Sequence, residues 1–428
     1  MARTDYDTGC NMGKARRRLG LRRSLGSLLT TFAMLAASGL TASTGSATVM
    51  GAASARDGWQ RQVAPGDRGS FFTGVSCATP TTCVAVGSQS FTTHQGALAY
   101  SWTGGIWHKD VAAQPPGETN TGLESVSCPT PSPGPRAGLP TCVAVGYSGI
   151  DSETARPFLE ILKGSTWKVV TVPGLAGKVA ELLSVSCWSS NGCFAVGLLE
   201  KVNGGDAGAI TAVFNGTSWV IVKTPSAVPT DSALDGVSCL AATIPPLCKA
   251  VGTKTVNHIT TPLLELANST HGWTVAPVPG VAGSTATALT SVACTAPDSC
   301  IAVGSTSSPT GGGAFSEVDN SGQWKVVIPP RLATPGNGAF GSVACTQFLD
   351  GCQAVGIVAT AASVPLIEQF NGTSWSVEPT SPPSSLSSLS GVACAMPASA
   401  QGDQLPCTAV GEYSPKPQAG DYLLVLHR

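Results

Sequence analysis

Residues 183–187 read Leu-Ser-Val-Ser-Cys and, after five further residues, 193–197 read Cys-Phe-Ala-Val-Gly; seven similar copies of this pair of segments occur along the chain. We number the copies repeats 1 to 7. The first cysteines are Cys77, Cys128, Cys187, Cys239, Cys294, Cys345 and Cys394, and the second are Cys83, Cys142, Cys193, Cys248, Cys300, Cys352 and Cys407. Successive first cysteines lie 49 to 59 residues apart, a period typical of propellers and other repeat arrays.

The composition favours an all-β protein. Charged residues make up only 11% of the 428 residues, whereas the chain has 50 Gly and 31 Pro, which suits short strands joined by turns better than solvated helices. Because one period runs from Trp59 to the C-terminus, we expect a leader over residues 1–55 and a single domain over 56–428.

Each repeat contains four strand-like segments, which in repeat 5 are residues 291–294, 300–304, 314–318 and 324–328. A Gly/Asn turn joins the third to the fourth, as in Asn-Gly-Thr-Ser-Trp at 215–219 and again at 371–375, which is typical of a hairpin. The fourth segment runs into proline, as at Pro329, and this indicates an outer edge strand. Four antiparallel strands per repeat predict the blade of a β-propeller.

The two chain ends predict how such a ring would close. The fourth segment begins with a repeated tryptophan, and the copy at Trp59 precedes the first cysteine pair, while repeat 7 ends after its third segment. The N-terminal strand can therefore complete the last blade. The count predicts a seven-bladed propeller and disfavours rings of six or eight blades.

Fourteen of the 15 cysteines fall into the seven local pairs, which predicts one disulfide per blade and an oxidising compartment. Free core thiols or metal sites are the alternative, but the five histidines show no paired spacing, so four-ligand zinc sites are not expected. The lengthened cysteine loops of repeats 2, 4 and 7 are either tolerated insertions or a recognition edge on one face. We expect no metal and no cofactor.

The N-terminus is typical of an export signal. Six basic residues over 14–23 precede a mostly apolar run over 25–40 and the small residues Ala53-Ser54-Ala55; the general secretion route and the twin-arginine route both stay open. Cleavage is expected rather than retention as an anchor, with no later membrane span. Residues 56–428 hold 17 Lys or Arg and 23 Asp or Glu, a balance that disfavours nucleic acid as a partner. These observations predict a monomer that is secreted, either extracellular or associated with the cell wall.

Ligand-binding candidates lie on connections and at tryptophans outside the repeat pattern. The most polar connections between second and third strands carry Tyr147, Asp151, Glu153 and Arg156 in repeat 2, and Tyr413 and Lys416 in repeat 7; Trp102 and Trp188 are candidate ligand platforms. The seven repeated tryptophans are expected to pack the blades. A glutamate recurs on the third strand, at Glu160, Glu265, Glu317 and Glu368, and we interpret it as structural rather than catalytic.

The Asn-Gly-Thr-Ser-Trp hairpins resemble the Asp-box hairpins of sialidase-like propellers, although Phe214 and Phe370 stand where the box has its aspartate. The Ser-Val-Ser-Cys and Cys-x-Ala-Val-Gly repeats with these hairpins resemble secreted, Cys-paired repeat proteins of actinobacteria, a largely uncharacterised family, over residues 57–428. This resemblance implies export and a propeller-like fold, with no catalytic positions to carry over.

The leading hypothesis is a secreted, non-enzymatic module that binds a cell-wall glycan or an extracellular protein through loops on one face of the propeller. The alternative is a glycoside hydrolase or lyase of sialidase-like architecture, which would need paired carboxylates in one pocket. A passive scaffold without a small ligand is a third hypothesis.

Overall fold

The computed structural model describes residues 58–428, except 130–140, 151–153, 165, 174, 176–177, 202–204, 227–230, 242–245, 270–271, 310, 331–336, 360–362, 382, 385, 396–405 and 417–419. The predicted leader therefore lies outside the described residues, and so do the middles of the three lengthened cysteine loops. Over the described residues the chain forms 28 β-strands, a 3-10 turn at Leu349–Gly351 and no α-helix. The predicted all-β class is confirmed.

The strands form three four-stranded and two eight-stranded sheets. The first eight-stranded sheet contains β2 (Ser70–Thr79), β3 (Thr82–Ser90), β4 (Gln95–Thr103), β5 (Ile106–Asp110), β6 (Asn120–Ser127), β7 (Cys142–Gly149), β8 (Arg156–Lys163) and β9 (Thr166–Val170). The second contains β14 (Ser232–Cys239), β15 (Cys248–Val256), β16 (Ile259–Ser269), β17 (Gly272–Ala276), β18 (Ala286–Ala296), β19 (Ser299–Ser308), β20 (Gly311–Asn320) and β21 (Gln323–Val327). Each consists of two antiparallel runs of four strands, joined by a single parallel residue pair, Gln95 with Asn120 or Thr260 with Ala286.

The four-stranded sheets are antiparallel runs of the same kind. One contains β10 (Val179–Ser189), β11 (Gly192–Lys201), β12 (Gly205–Phe214) and β13 (Trp219–Val222), and another contains β22 (Asn337–Cys345), β23 (Cys352–Ala359), β24 (Ser363–Phe370) and β25 (Trp375–Val377). The third combines both chain ends: β1 (Gln60–Gln62) lies beside β28 (Tyr422–His427), followed by β27 (Cys407–Tyr413) and β26 (Ser387–Cys394).

A β-bulge and a glycine explain why Ala-Val-Gly recurs. Leu182 pairs with Gly197 and Ser184 pairs with Val196, so Leu183 is an extra residue in the first strand of repeat 3. The same register shift occurs in the first strand of every repeat. At the bulge the first strand approaches the second so closely that a Cβ on Gly197 would lie 2.0 Å from the carbonyl oxygen of Glu181. Only glycine leaves room for this backbone contact.

The Ser-Val-Ser-Cys segment joins each repeat to the next. The backbone N–H of Cys187 donates to Ser127 Oγ (3.0 Å) and that of Val185 donates to Ser125 Oγ (3.3 Å), both serines belonging to repeat 2. Equivalent bonds run from Cys128 to Ser76, from Cys239 to Ser186, from Cys294 to Ser238, from Val237 to Ser184, from Val343 to Ser291 and from Val392 to Ser342. Apart from the single parallel pairs of β6 and β18, the first strand pairs on one side only, so these hydroxyls give partners to N–H groups of the other edge.

Hydrophobic clusters fill the spaces between neighbouring repeats, and repeat 1 packs against repeat 7. Phe72 and Tyr100 lie in one cluster with Val410 and Val425 of the last sheet. The indole N–H of Trp107 donates to Gln62 Oε1 in β1 (2.8 Å). The N-terminal strand therefore belongs to the last sheet, and it also contacts the first repeat.

All seven predicted disulfides are present. Each joins directly opposed residues of two antiparallel strands or the ends of the hairpin between them, with Cα atoms 3.9–4.2 Å apart. The cysteines are 6 or 7 residues apart in four repeats and 9 to 14 apart in the other three. In the chain-entropy model a loop of seven residues contributes only ~2.4 kcal/mol and one of fifteen about 3 kcal/mol. The disulfides are local clamps within repeats, while hydrophobic packing and serine bonds join the repeats.

Substitution of Gly197 tests the bulge contact. Gly197→Ala places a methyl group against a backbone oxygen, which has to move, so we expect a loss of about 2 kcal/mol or more in the free energy of unfolding measured with urea. Gly272→Ala in β17 is the matched control, because a Cβ at that position would have no atom within 4 Å. Equal stability of the two variants would show that the bulge tolerates a side chain.

One interface between repeats contains a buried ion pair. Lys249 of β15 contacts Asp319 of β20, and the exposed fractions of the two side chains are 14% and 0%. The Lys249 ammonium also lies 5.3 Å from the centre of the Trp324 ring. Repeat 2 has Leu162 at the position of Asp319, since both pair with the repeated tryptophan.

Because Lys249 and Asp319 neutralise each other, the effects of substituting them on the free energy of unfolding should not be additive. Lys249→Ile or Asp319→Leu alone leaves an unpaired buried charge and should lower the free energy of unfolding by about 3–5 kcal/mol. The double variant replaces both charges by apolar side chains and should lie within about 1 kcal/mol of the unsubstituted protein. A double-mutant cycle in urea measures this coupling; additive losses would contradict it.

Candidate functional site

The strands carry their connections on two opposite faces. The disulfide face holds the cysteine hairpins between first and second strands and the hairpins between third and fourth strands, which meet where Cys83 pairs with Trp102 and Trp102 with Trp107. The loop face holds the connections between second and third strands and the segments that lead to the next repeat. The lengthened cysteine loops belong to the disulfide face, because they lie between the paired cysteines.

The sequence-predicted site residues do not form one cluster. Tyr147, Arg156, Tyr413 and Lys416 belong to the loop face, whereas Trp102 and Trp188 lie at the disulfide face. Asp151 and Glu153 lie outside the described residues. A single ligand therefore cannot be assigned to the whole set.

The two tryptophans pack against their own surroundings. Trp102 is only 7% exposed and lies between Trp107, 6.3 Å between ring centres, and His427, 5.0 Å. Trp188 is half-buried, and a Cβ on Gly192 would lie 2.3 Å from its indole, which therefore covers the turn of its own hairpin. Trp102 offers no open ring face to a ligand, and Trp188 offers part of one.

Tyr147 is a buried support of the loop face. Its hydroxyl donates to Gln95 Oε1 (3.1 Å) in the neighbouring repeat, and its ring lies against Gly122, where a Cβ would be 2.7 Å away. Arg156 begins β8 and is exposed. Of this pair, only Arg156 can contact a ligand directly.

Asn120 ties two loop-face connections into one surface. Its Oδ1 accepts from the N–H of Gln95 (3.1 Å) and its Nδ2 donates to the carbonyl of Ile150 (2.6 Å). Next to these bonds Phe91 stacks on His94 with ring centres 4.4 Å apart. Phe91 is 48% exposed and Ile150 is 61% exposed, so each presents apolar surface on a connection that belongs to this hydrogen-bonded frame.

Repeat 4 presents a second apolar tip on the loop face. Asn257 and His258 have φ values of 51° and 64°, the backbone of a tight two-residue hairpin turn. They are flanked by Val256 and Ile259, which are 53% and 55% exposed. Sequence reasoning missed these apolar tips; the available signal was a large apolar residue beside or inside a connection that should otherwise be polar.

Repeat 7 presents an aromatic and cationic corner. The rings of Tyr413 and Tyr422 lie 5.7 Å apart on paired positions of β27 and β28. Arg61 of β1 lies with its guanidinium carbon 4.9 Å from the centre of the Tyr413 ring, and its Nη2 donates to the Tyr413 hydroxyl (3.0 Å). The next residue, Ser414, donates its hydroxyl to Asp421 and its N–H to the carbonyl of Leu386 (2.8 Å). These bonds fix the chain on both sides of the tyrosine pair.

The third-strand glutamates hold the incoming segment of the preceding repeat. Glu160 accepts from the N–H of Ala113, and Glu317 Oε1 accepts from the N–H of Gly280 (2.9 Å). Glu265 accepts from the hydroxyl of Thr224 and, at 3.2 Å, from the N–H of Ser226. All three carboxyls are fully buried, and the contacts agree with a structural role for this position.

Two of these carboxyls titrate far from the ordinary range. Burial raises the pKa of Glu160 to about 8 and that of Glu317 to about 7, and the backbone hydrogen bonds from Ala113 and Gly280 offset part of that effect. Since the folded-state pKa lies above the unfolded one, each neutral carboxyl contributes stability that is complete below about pH 4.5 and is lost as pH rises through the folded-state value.

Glutamine at these positions should remove that pH dependence. Glu160→Gln keeps the acceptor for Ala113 and cannot ionise. Between about pH 5 and pH 8.5, the difference in free energy of unfolding between this variant and the unsubstituted protein should therefore shift by at least ~1 kcal/mol in favour of the variant. For Glu317→Gln the gain should be centred about one pH unit lower. Urea unfolding across this range measures both curves, and curves parallel to that of the unsubstituted protein would contradict the assignment.

No three or more His, Cys, Asp or Glu side chains are grouped to hold a metal ion within the part of the chain that the structure describes. A search of the same residues finds no helix long and apolar enough to cross a membrane.

Comparison with known proteins gives structural likeness only. No protein family matches the chain, and no curated protein does. A solved structure described as YCF48 bound to D1 peptide is similar with a TM-score of 0.51 and 11% sequence identity, covering 87% of this chain and 96% of that chain.

Two further structures are more distant. The WD40 beta propeller domain of Doa1 gives a TM-score of 0.49 at 10% identity, over 87% of this chain and 97% of that chain. A subtype N11 neuraminidase-like protein of a flat-faced bat isolate (H18N11) gives 0.39 at 12% identity, over 87% and 93%.

The architecture itself carries the fold assignment. Repeated runs of four antiparallel strands pack against one another through hydrophobic clusters and carry their connections on two faces, as in a β-propeller. The chain is an all-β repeat protein of propeller type with seven disulfides.

Proposed function

We propose that the protein is a secreted, non-enzymatic binding module that recognises a cell-wall glycan or an extracellular protein through its loop face. The observation that carries the proposal is the set of exposed apolar side chains on loop-face connections, Phe91 and Ile150 in repeats 1 and 2 and Val256 and Ile259 in repeat 4. Contiguous exposed apolar surface marks interaction sites in soluble proteins, and these side chains supply apolar surface on the loop face.

The frame reduces the entropy cost of binding. Asn120 fixes the connection of repeat 2 to that of repeat 1, and a two-residue turn fixes the tip of repeat 4. Side chains that are already ordered lose little freedom when a partner binds, which favours affinity.

We infer further that the seven repeats are seven blades in a closed ring and that the module is a monomer. The pairing of β1 with β28 and the bond from Trp107 to Gln62 support closure by the chain ends. The local disulfides support an oxidising, extracellular location, with residues 1–55 as a cleaved export signal.

The rival hydrolase or lyase would need two carboxyls beside a ligand. Glu160, Glu265 and Glu317 already accept hydrogen bonds from the framework and are fully buried, which favours binding over catalysis at this repeated position. YCF48 is described with a bound peptide, and a protein segment is an equally suitable partner for the apolar tips of this chain.

The test uses the full chain with a panel of cell-wall polysaccharides, host polysaccharides and extracellular proteins. The double variant Phe91→Ser/Ile150→Ser should weaken retention of the bound partner about tenfold or more, because it removes two of the four exposed apolar side chains. Ile106→Ser is the matched control, since Ile106 is 60% exposed but lies on a hairpin of the disulfide face.

The same experiment separates binding from catalysis. Mass spectrometry should recover the retained glycan at its original length. Shortened glycans would overturn the proposal in favour of the rival enzyme. Equal loss of partner retention in Phe91→Ser/Ile150→Ser and in Ile106→Ser would show that the loop face is not the binding site.

A further inference from the structure

Arg61, Tyr413 and Tyr422 form a corner at the loop face, and Lys416 follows Tyr413 by three residues on the same connection. Arg61 and Lys416 form no ion pair with any described carboxylate, whereas Lys109, Lys249 and Arg428 each face an Asp or Glu. Resting on the proposed function, we propose that this corner is the subsite of an acidic polysaccharide, one whose sugar rings carry carboxylates.

The Arg61 guanidinium is already oriented in a way that leaves donors available for a carboxylate. Arg61 stacks over Tyr413 and uses one N–H on the Tyr413 hydroxyl, 3.0 Å away, and the side chain is otherwise exposed. A guanidinium has five N–H donors in a planar fork, so a pair of donors stays available for a bidentate contact with a carboxylate. Stacking on the ring means that little side-chain entropy is lost when that contact forms.

The two tyrosines supply the apolar part of the subsite. Both rings are half-buried, and they lie 5.7 Å apart with 31° between their planes. An aromatic ring with a hydroxyl at its edge offers an apolar face together with a hydrogen-bonding group. A sugar ring has the same two characters, apolar C–H faces and hydroxyls at its edge.

The corner is rigid where the ligand would lie. Ser414 is bonded to Asp421 and to the backbone of residue 386, and Ser384 Oγ donates to the carbonyl of Ser414 (2.8 Å). The tyrosine pair is therefore positioned before any ligand arrives.

A glycan fits better than an extended peptide. Peptides commonly bind a sheet by adding a strand to its open edge. The outer edge of β28 is paired over Val425–His427 by Gln60–Gln62 of β1, and beside Tyr422 the N–H of Gly69 donates to the carbonyl of Asp421 (2.8 Å), which leaves little open edge at this corner. Recognition here therefore goes through side chains, and the available side chains are a ring pair and cations.

The test measures binding of polygalacturonate, its methyl ester and poly-L-glutamate to the full chain by calorimetry at low and physiological salt. We expect polygalacturonate to bind and the uncharged ester to bind at least tenfold more weakly. Arg61→Gln should weaken polygalacturonate about tenfold, the effect of one charge-assisted contact. Tyr413→Phe keeps the ring but frees the guanidinium, and should cause a smaller loss.

Lys168→Gln is the matched control. Lys168 is exposed and follows the repeated Trp167 of its outer strand, as Gln60-Arg61 follow Trp59. Equal losses for Arg61→Gln and Lys168→Gln would indicate general charge attraction and overturn the subsite. Unchanged thermal unfolding of the variants confirms that folding is intact.

The remaining outcomes separate this subsite from the proposed function. If the chain binds another partner through Phe91 and Ile150 but does not bind polygalacturonate, the subsite is overturned and the proposed function is not. Binding of poly-L-glutamate with the same dependence on Arg61 would show recognition of a carboxylate on a peptide and overturn the assignment to a sugar.

Discussion

The close approach of the first two strands in each repeat is the constraint on which the structure depends. The bulge at Leu183 and its equivalents allows the first strand to lie against a glycine of the second, where a side chain would meet a carbonyl oxygen. In this arrangement the serines of one first strand reach the N–H groups of the next. The same short segment thus determines the geometry within a repeat and the hydrogen bonds between repeats, which explains why its sequence recurs with so little change in all seven repeats.

Much of the fold follows from sequence because its decisive residues are periodic. The cysteine pairs, the all-β class and the buried position of most repeated tryptophans could be predicted from spacing and composition. Strand lengths could not: β18 and β19 extend well beyond the predicted segments 291–294 and 300–304. Their extensions consist largely of Ser, Thr and Ala, which have weak strand preference by themselves and are ordered here by pairing with a neighbour.

The candidate site was harder to predict, since a site depends on which face each connection occupies. From the sequence, Tyr147 is predicted to be an exposed ligand-binding residue. In the structure its hydroxyl is buried and donates a hydrogen bond to Gln95. Arg61 reads as part of an edge strand, and only the pairing of β1 with β28 brings it to Tyr413 across a sequence separation of 352 residues. Periodicity specifies the scaffold, whereas non-repeated residues acquire their roles from contacts between distant parts of the chain.

The position of β1 has a consequence for how the protein resists proteolysis. In most domains the first few residues are dispensable, and trimming them leaves the core intact. Here Trp59 is buried with Val355 and Leu426, and Gln62 accepts the indole N–H of Trp107. A protease that cut between β1 and β2 would therefore release a strand from the last sheet and expose the seam between the chain ends. The N-terminal strand thus holds the last sheet against the first repeat. Residues 63–69, which connect β1 to β2, are the segment where cleavage would disrupt this contact.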